Sequence, residues 1–178
     1  MKKIYLILTF TGTMLSRFIR LTTKDEFAHV SLSLDEELKE MYSFGRLNPY
    51  NPFFGGFVHE SIENGTFKRF ENTTVTNIYT LEVTDYQYKK LKKILEMMSK
   101  SKRKYKFNIL GLVLAKFRYK RTKVDTYYCA EFVKKIMDES EIENNLPEVV
   151  KPEDFKYIDN INLHYSGMLK DYSTRVVD

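Results

Sequence analysis

Two short stretches decide the fold expected for this chain: TYYCAEFV over residues 126–133 and FAHVSLSL over residues 27–34. The first holds Cys129, the only cysteine among 178 residues, where a helical apolar period begins. The second alternates apolar and polar side chains, which predicts a half-buried strand with His29 on its more polar face. A thiol at a helix start and an imidazole on a strand are the two groups that a cysteine hydrolase needs.

Cys129 has two interpretations. It lies on the apolar stripe of its predicted helix, residues 129–139, and free cysteine is among the residue types most often buried, which favours a purely structural role. A catalytic role is favoured by the helix start, for which Asp125 or Thr126 is the predicted N-cap. In the first turn, the helix dipole and free amides would favour a thiolate and could hold an oxyanion.

The order of the predicted elements indicates a single α+β domain over residues 1–178, with a small antiparallel sheet or barrel packed against helices. A capping box at 84–87 opens one of the helices. A hairpin is expected around the turn at 63–65. Strands are predicted over residues 3–10, 27–34, 40–46, 57–62, 66–71, 75–83 and 161–168, and helices within 12–23, from 84 to about 98, over 108–117 and over 129–139.

The composition argues against a disulfide-stabilised or metal-binding protein and indicates the compartment. One cysteine excludes an intrachain disulfide, and one cysteine with three histidines argues against a structural zinc site, so we expect neither metal nor cofactor. A lone thiol suits a reducing compartment and favours the cytoplasm over secretion or membrane association. Residues 1–10 imitate the start of a signal peptide. Because their apolar run is short and no cleavage site follows, we interpret them as a buried first strand.

Basic residues are concentrated in one part of the chain. The net charge is +5, and residues 89–123 contain fourteen Lys or Arg against one acid, Glu96. This predicts contact with an anionic surface such as a polymer, a lipid surface or nucleic acid. The simpler interpretation is a solvated helix face followed by a basic loop.

A catalytic imidazole needs a group that orients its second ring nitrogen. Pairing residues 28–34 with 40–46 by their apolar faces turns Ser43 to the side of His29, whereas a slip of one residue would present Tyr42. Ser43 is therefore the predicted third catalytic residue, and Glu60 is the reserve. His59 and His164 are weaker candidates for the base.

Several stretches together resemble the circularly permuted branch of the NlpC-type papain-like cysteine peptidases: SRFIR at 16–20, FAHVSL at 27–32 and YYCAEFV at 127–133. In that branch the histidine strand precedes the cysteine helix, the reverse of the usual papain order. KPEDF at 151–155 and YSG at 165–167 resemble its closing segment. The resemblance covers about residues 4–172.

This resemblance implies a permuted papain-like fold in which Cys129 is the nucleophile and His29 its base. Its members are thiol proteases and amidases, typically acting on peptides, and a sister group resembling lecithin–retinol acyltransferase moves acyl groups between lipids. Serine at position 43 departs from the histidine, asparagine, glutamine or glutamate that relatives carry there.

The expected function is therefore a cysteine peptidase or amidase-like hydrolase, acting on a small peptide or acyl substrate through a thioester. Tyr42, Tyr128 and Glu60 are the predicted substrate-binding residues, and Phe44, Tyr50, Phe53 and Phe54 are further candidates to line the approach. One alternative is a lipid-directed acyltransferase or thioesterase that docks through residues 89–123. Another is a non-enzymatic polyanion-binding domain, in which rings such as Tyr105 and Phe107 would stack on bases.

Overall fold

The computed structural model describes residues 1–48, 51–108 and 125–175. Two 3-10 turns, Lys102–Lys104 and Pro152–Tyr157, accompany the helices and strands of this part of the chain. The strands are β1 (Lys2–Phe10), β2 (His29–Ser33), β3 (Met41–Asn48), β4 (Asn51–Glu60), β5 (Val75–Val83), β6 (Lys106–Phe107), β7 (Thr126–Tyr127) and β8 (Asn162–Met168). The helices are α1 (Met14–Thr23), α2 (Gly65–Arg69), α3 (Asp85–Lys100), α4 (Cys129–Glu139) and α5 (Leu169–Arg175).

Six strands form one antiparallel sheet in the order β4–β3–β2–β1–β5–β8. The first strand of the chain therefore lies inside the sheet, as the apolar run of residues 3–10 predicts. The two short strands β6 and β7 pair in parallel, apart from the sheet. The predicted α+β class with an antiparallel sheet is confirmed.

One face of the sheet is covered by α3 and α4. Strand alternation sends every second side chain of each strand to this face, where it meets the apolar stripes of the two helices. The buried strand residues of this cluster are Ile4, Leu6, Leu8, Val30, Leu32, Tyr42, Phe44, Phe57, Tyr79, Leu81 and Val83, and the helices contribute Leu91, Leu95, Met98, Cys129, Phe132, Val133, Ile136 and Met137.

The opposite face is covered by α2, α5 and the turn after β2. Its buried residues are Tyr5, Ile7, Leu38, Met41, Phe67, Ile78, Tyr165, Leu169 and Tyr172. This smaller cluster shares its face with polar side chains of β2, because residues 29, 31 and 33 alternate with Val30 and Leu32. The sheet thus has one thoroughly apolar face and one mixed face.

The register between β2 and β3 is the one predicted from their apolar faces. Leu32 lies opposite Tyr42 and Ser33 lies opposite Met41. A shift of one residue would exchange the faces and bury the serines of β2 against α4, so the apolar alternation fixes the pairing.

The predicted hairpin of residues 57–62 and 66–71 is wrong. β4 ends at Glu60 and pairs with β3, and the chain then forms the short helix α2. Gly65 has a φ of +63°, a backbone conformation that glycine adopts without strain, and it opens the helix instead of a hairpin. The predicted helix over residues 108–117 falls, from residue 109 onward, outside the described residues.

The structure also changes the interpretation of α1. The helical period of Met14, Leu15, Phe18 and Ile19 predicts that they share one apolar side. Of the three whose side chains the structure describes, Ile19 is buried, whereas Met14 and Phe18 are exposed. The side chain of Leu15 lies outside the description. Thr13 caps the helix, accepting a hydrogen bond from the amide of Ser16.

In the ranges that the structure describes, no helix combines the length and the apolar character needed to cross a bilayer.

The capping box predicted at the start of α3 is confirmed. Thr84 Oγ1 accepts from the amide of Gln87 at 3.2 Å, and Gln87 Oε1 accepts from the amide of Thr84 at 2.8 Å. We expect Thr84→Ala to lower the free energy of unfolding by about 1 kcal/mol, because two helix-start amides lose their protein partner or its orientation. Urea denaturation followed by circular dichroism measures this loss.

Lys92→Ala, on the exposed side of the same helix, is the matched control and should change stability by less than about 0.5 kcal/mol. Equal unfolding midpoints for the two variants would contradict a stabilising role for the box.

Candidate active site

His29 is the first residue of β2 and lies opposite Thr9 of β1. Strand alternation places its side chain on the mixed face, and its ring centroid lies 6.4 Å from that of Phe67 of α2. The imidazole is therefore held between the sheet and an apolar ring, at the end of a strand, with 20% of the side chain exposed.

Glu60, the last residue of β4, forms an ion pair with His29. Its Oε1 lies 2.9 Å from His29 Nε2, and 13% of its side chain is exposed. Ser31 Oγ donates to the other carboxylate oxygen, Oε2, and lies 3.3 Å from His29 Nε2. Both carboxylate oxygens are thereby fixed, and one nitrogen of the imidazole is held in place.

Gly45 makes the contact across β3 possible. Continuing the Leu32–Tyr42 pairing along the strands places Gly45 opposite His29, between β2 and the carboxylate from β4. A Cβ at Gly45 would lie 3.4 Å from Glu60 Oε1 and 3.7 Å from His29 Cε1. The absence of a side chain at this position leaves the space through which Glu60 reaches the imidazole.

Cys129 is the first residue of α4. The expected N-cap at Asp125 or Thr126 is wrong: Tyr128 is the N-cap, because Thr126 and Tyr127 pair with β6 as β7. This places Cys129 at the first helical position, where amides have no partner within the helix and the dipole favours negative charge. The residue is only 1% exposed.

The thiol of Cys129 and the imidazole of His29 interact. Burial alone would lower the pKa of His29, but the charge of Glu60, a side-chain hydrogen bond to Cys129 and the charge of Cys129 outweigh it. Together with the hydrogen bond to Glu60, they raise the pKa of His29 from 6.5 to about 10. His29 therefore carries a positive charge at neutral pH.

The two side chains come from different faces of the sheet. Cys129 belongs to the apolar cluster under α4, whereas His29 projects from the mixed face. Their interaction is consistent with the packing of α4, which begins at Cys129, against β3 and against β2, which begins at His29. The site lies at the end of β2 instead of at the middle of either face.

Ser43 does not hold the ring in this structure. The predicted register is correct, but Ser43 is completely buried and its Oγ donates to the backbone carbonyl of Val30 at 2.7 Å. Glu60, predicted as the reserve orienter and as a substrate-binding residue, is the group in contact with His29.

The tyrosines predicted to bind substrate are packed into the protein. Tyr42 is buried, stacks on Phe57 and His59, and donates its hydroxyl to Glu40. Tyr128 is buried and donates to the carbonyl of Val150 at 2.9 Å. Of the other rings expected along the approach, Phe44 is buried, whereas Tyr50 and the side chains of Phe53 and Phe54 lie outside the description.

The other two histidines have different partners. His59 is exposed, and its Nε2 lies 2.7 Å from the backbone oxygen of Lys39. His164 forms an ion pair with Glu36 at 3.2 Å and packs edge-on against Tyr5. Neither contact involves the Cys129–His29 pair, so His29 remains the candidate base.

Three residues of the site were not predicted. Ser31 could have been found from the sequence, because it stands two positions after His29 and strand alternation places both on one face. The positions of Gly45 and Thr9 opposite His29 follow only from the pairing of whole strands, which the sequence does not give. Thr9 is completely buried across from His29, and within the described part of the chain its hydroxyl has no hydrogen-bond partner.

The described portion of the basic segment is partly neutralised. Lys90 pairs with Glu141 at 2.5 Å, and Lys104 pairs with Asp125 at 3.2 Å. Tyr105, one of the rings considered for base stacking, is partly buried and packs against Phe44. Residues 109–123 lie outside the description.

Among the described residues, no group of three or more histidine, cysteine, aspartate or glutamate side chains is placed to hold a metal ion. Comparison of the chain with models of protein families, with curated proteins and with solved structures finds no match. The interpretation of the site consequently depends on its own geometry: a thiol at a helix start, an imidazole beside it and a carboxylate beyond the imidazole.

Replacing Glu60 tests the electrostatics of this arrangement. We expect Glu60→Gln to lower the pKa of His29 from about 10, because the variant removes the negative charge beside Nε2. The stability that comes from the raised pKa is complete below 6.5 and is lost as the pH rises to about 10. The difference in unfolding free energy between the two proteins should therefore shrink over this range, as measured by denaturation at several pH values and by an NMR titration of the ring.

Glu63→Gln removes the same charge from an exposed position three residues further on and serves as control. An unchanged His29 titration in Glu60→Gln would contradict the ion pair.

A graded series at Gly45 tests the space between the strands. Gly45→Ala should be tolerated, because its Cβ would make ordinary contacts at 3.4 Å and 3.7 Å. Gly45→Val should push the carboxylate away from His29 and lower the pKa of the ring, because its additional methyl groups need the space that Glu60 Oε1 occupies. NMR titration of His29 in both variants measures the effect, and equal titration curves would contradict this account of Gly45.

Proposed function

We propose that this chain is a cysteine hydrolase of the permuted papain-like type, in which Cys129 is the nucleophile, His29 the base and Glu60 the residue that orients the base. The observation that carries the proposal is the interaction of Cys129 with an imidazole that is itself paired with a carboxylate. A nucleophile, a base and an orienting group in contact are the arrangement that activates a side chain for acyl transfer.

The resting state is a thiolate–imidazolium pair. Glu60 stabilises the positive ring through Nε2, so Nδ1 is the ring nitrogen available to the thiol. The start of α4 stabilises the negative sulfur, because its first amides and its dipole both favour an anion. Glu60 and the start of α4 therefore favour the same charge distribution, a positive His29 beside a negative Cys129.

The reaction follows from this charge distribution. The thiolate attacks a substrate carbonyl and forms a carbon–sulfur bond, while first-turn amides of α4 hold the developing oxyanion. The bond to the leaving amine or thiol breaks as His29 gives it a proton, and a thioester to Cys129 remains. Water, giving a proton to His29, then cleaves the thioester and releases the acid, and the imidazolium and thiolate are restored.

Access to the sulfur restricts the substrate. Cys129 is 1% exposed, so an acyl group reaches it only when neighbouring side chains move aside. This favours a slender acyl amide or thioester, such as a short peptide, over a folded protein. The compartment that suits an unpaired thiol of this kind is the cytoplasm.

Thiol labelling distinguishes Glu60 from Ser43 as the orienting residue. At neutral pH, Cys129→Ala should abolish labelling by iodoacetamide, because no other cysteine exists. His29→Ala and Glu60→Gln should each slow labelling about tenfold or more, since each reduces the thiolate fraction. Ser43→Ala should label at nearly the wild-type rate. The Ser43 hydroxyl donates to the backbone carbonyl of Val30 and not to His29.

Labelling of folded His29→Ala at the wild-type rate would refute the thiolate–imidazolium pair. A rate lowered by Ser43→Ala and not by Glu60→Gln would return the orienting role to Ser43. Turnover of a panel of acyl amides and thioesters, measured with wild type and with Cys129→Ala, then identifies the bond that is cleaved.

A further inference from the structure

Helix α1 turns apolar side chains toward solvent. Met14, Phe18 and Leu21 follow an i, i+4, i+7 spacing and are 90%, 52% and 81% exposed. Ser16 and Ile19, on the other side of the helix, are buried toward the sheet. The exposed stripe therefore points away from the protein, and the helix buries only its narrower side.

The charges on α1 are all of one sign. Arg17, Arg20 and, at the C-cap, Lys24 are exposed, and residues 14–24 contain no acid. Arg17 Nε donates to the carbonyl of Gly12 at 2.9 Å, and the Arg20 guanidinium lies 4.8 Å from the ring centroid of Phe10. Arg17 lies three residues after Met14 and four before Leu21, so it stands beside the apolar stripe. An apolar stripe flanked by arginines is typical of helices that lie in the interface of an anionic bilayer.

The position of α1 relates it to the site. The helix connects the end of β1 to the start of β2, whose first residue is His29. Its exit is fixed by an ion pair of Asp25 with Lys151 at 2.8 Å and by a hydrogen bond from the amide of Phe27 to Glu153 at 3.1 Å. The exposed stripe is consequently at the same end of the sheet as the imidazole.

We infer that α1 is a docking surface for a bilayer of anionic phospholipid, with Met14, Phe18 and Leu21 among the acyl chains and Arg17, Arg20 and Lys24 at the phosphate level. The substrate that this surface serves, an acyl amide or thioester carried by a lipid, rests on the proposed hydrolase function. This surface differs from the basic segment 89–123, in which Lys90 and Lys104 are paired with acidic residues.

Vesicle sedimentation of the full chain carrying Cys129→Ala tests the docking without turnover. We expect it to sediment with vesicles that contain about one third phosphatidylglycerol in phosphatidylcholine and much less with phosphatidylcholine alone. Met14→Ser combined with Leu21→Ser, and separately Arg17→Gln combined with Arg20→Gln, should each weaken partitioning about tenfold or more. Added salt should weaken the binding of the parent protein.

Matched controls are available on α3. Met97→Ser removes another exposed methionine, and Lys92→Gln with Lys93→Gln removes two exposed charges. Both should bind as the parent protein does. Thermal unfolding of every variant shows whether it is folded, and the exposed positions chosen here should leave the midpoint nearly unchanged.

Three results would overturn the docking. The first is no sedimentation of the parent protein at low salt, and the second is binding that survives Met14→Ser with Leu21→Ser. The third is concentration-dependent dimerisation in light scattering that this double variant abolishes while vesicles remain unbound, which would assign the stripe to a second copy of the chain.

A further comparison separates this inference from the proposed function. Iodoacetamide labelling without vesicles tests the thiol alone, and the α1 variants in the protein that retains Cys129 should label at the rate of the protein with native α1. With Cys129 restored, the same variants should lose hydrolysis of a thioester probe dispersed in anionic vesicles and keep hydrolysis of its water-soluble analogue. Equal loss of both activities, or of neither, would overturn the lipid substrate while leaving the labelling result to decide on the hydrolase.

Discussion

The ion pair between His29 and Glu60 is the constraint on which the site depends. A positive imidazole in a mostly buried place is unfavourable by itself, and the adjacent carboxylate makes it stable. The carboxylate is in turn fixed by Ser31 and reaches the ring across Gly45. Three consecutive strands thus combine to keep one charge beside the only cysteine of the chain.

The sheet provides this arrangement through its asymmetry. The apolar face binds α3 and α4 and thereby fixes where the helix carrying Cys129 begins. The mixed face contains the polar side chains of β2 and the end of β4, covered by the short helix α2. Because hydrophobic packing and polar contacts use opposite faces, the site can hold charged groups without interrupting the larger core.

Much of the fold could be predicted because its signals are local. The capping box of α3, the alternation of β2 and the apolar stripe of α4 each act within about ten residues. The turn at 63–65 misled the prediction because Asn64-Gly65 suits a hairpin as well as a helix start. Glu60 could not be ranked above Ser43, because the choice depends on the β3–β4 register and on the empty space at Gly45, which involve residues far apart in sequence.

The site has two parts, one held within the sheet and the other brought to it by a single helix. His29, Gly45 and Glu60 belong to sequential hairpins, whereas Cys129 joins them only through the docking of α4 on β2 and β3. Detachment of that one helix would leave Glu60 and His29 together and remove the sulfur of Cys129. Partial denaturation that spares the sheet would therefore separate the thiol from the imidazole reversibly, and re-docking of this single helix would restore their contact.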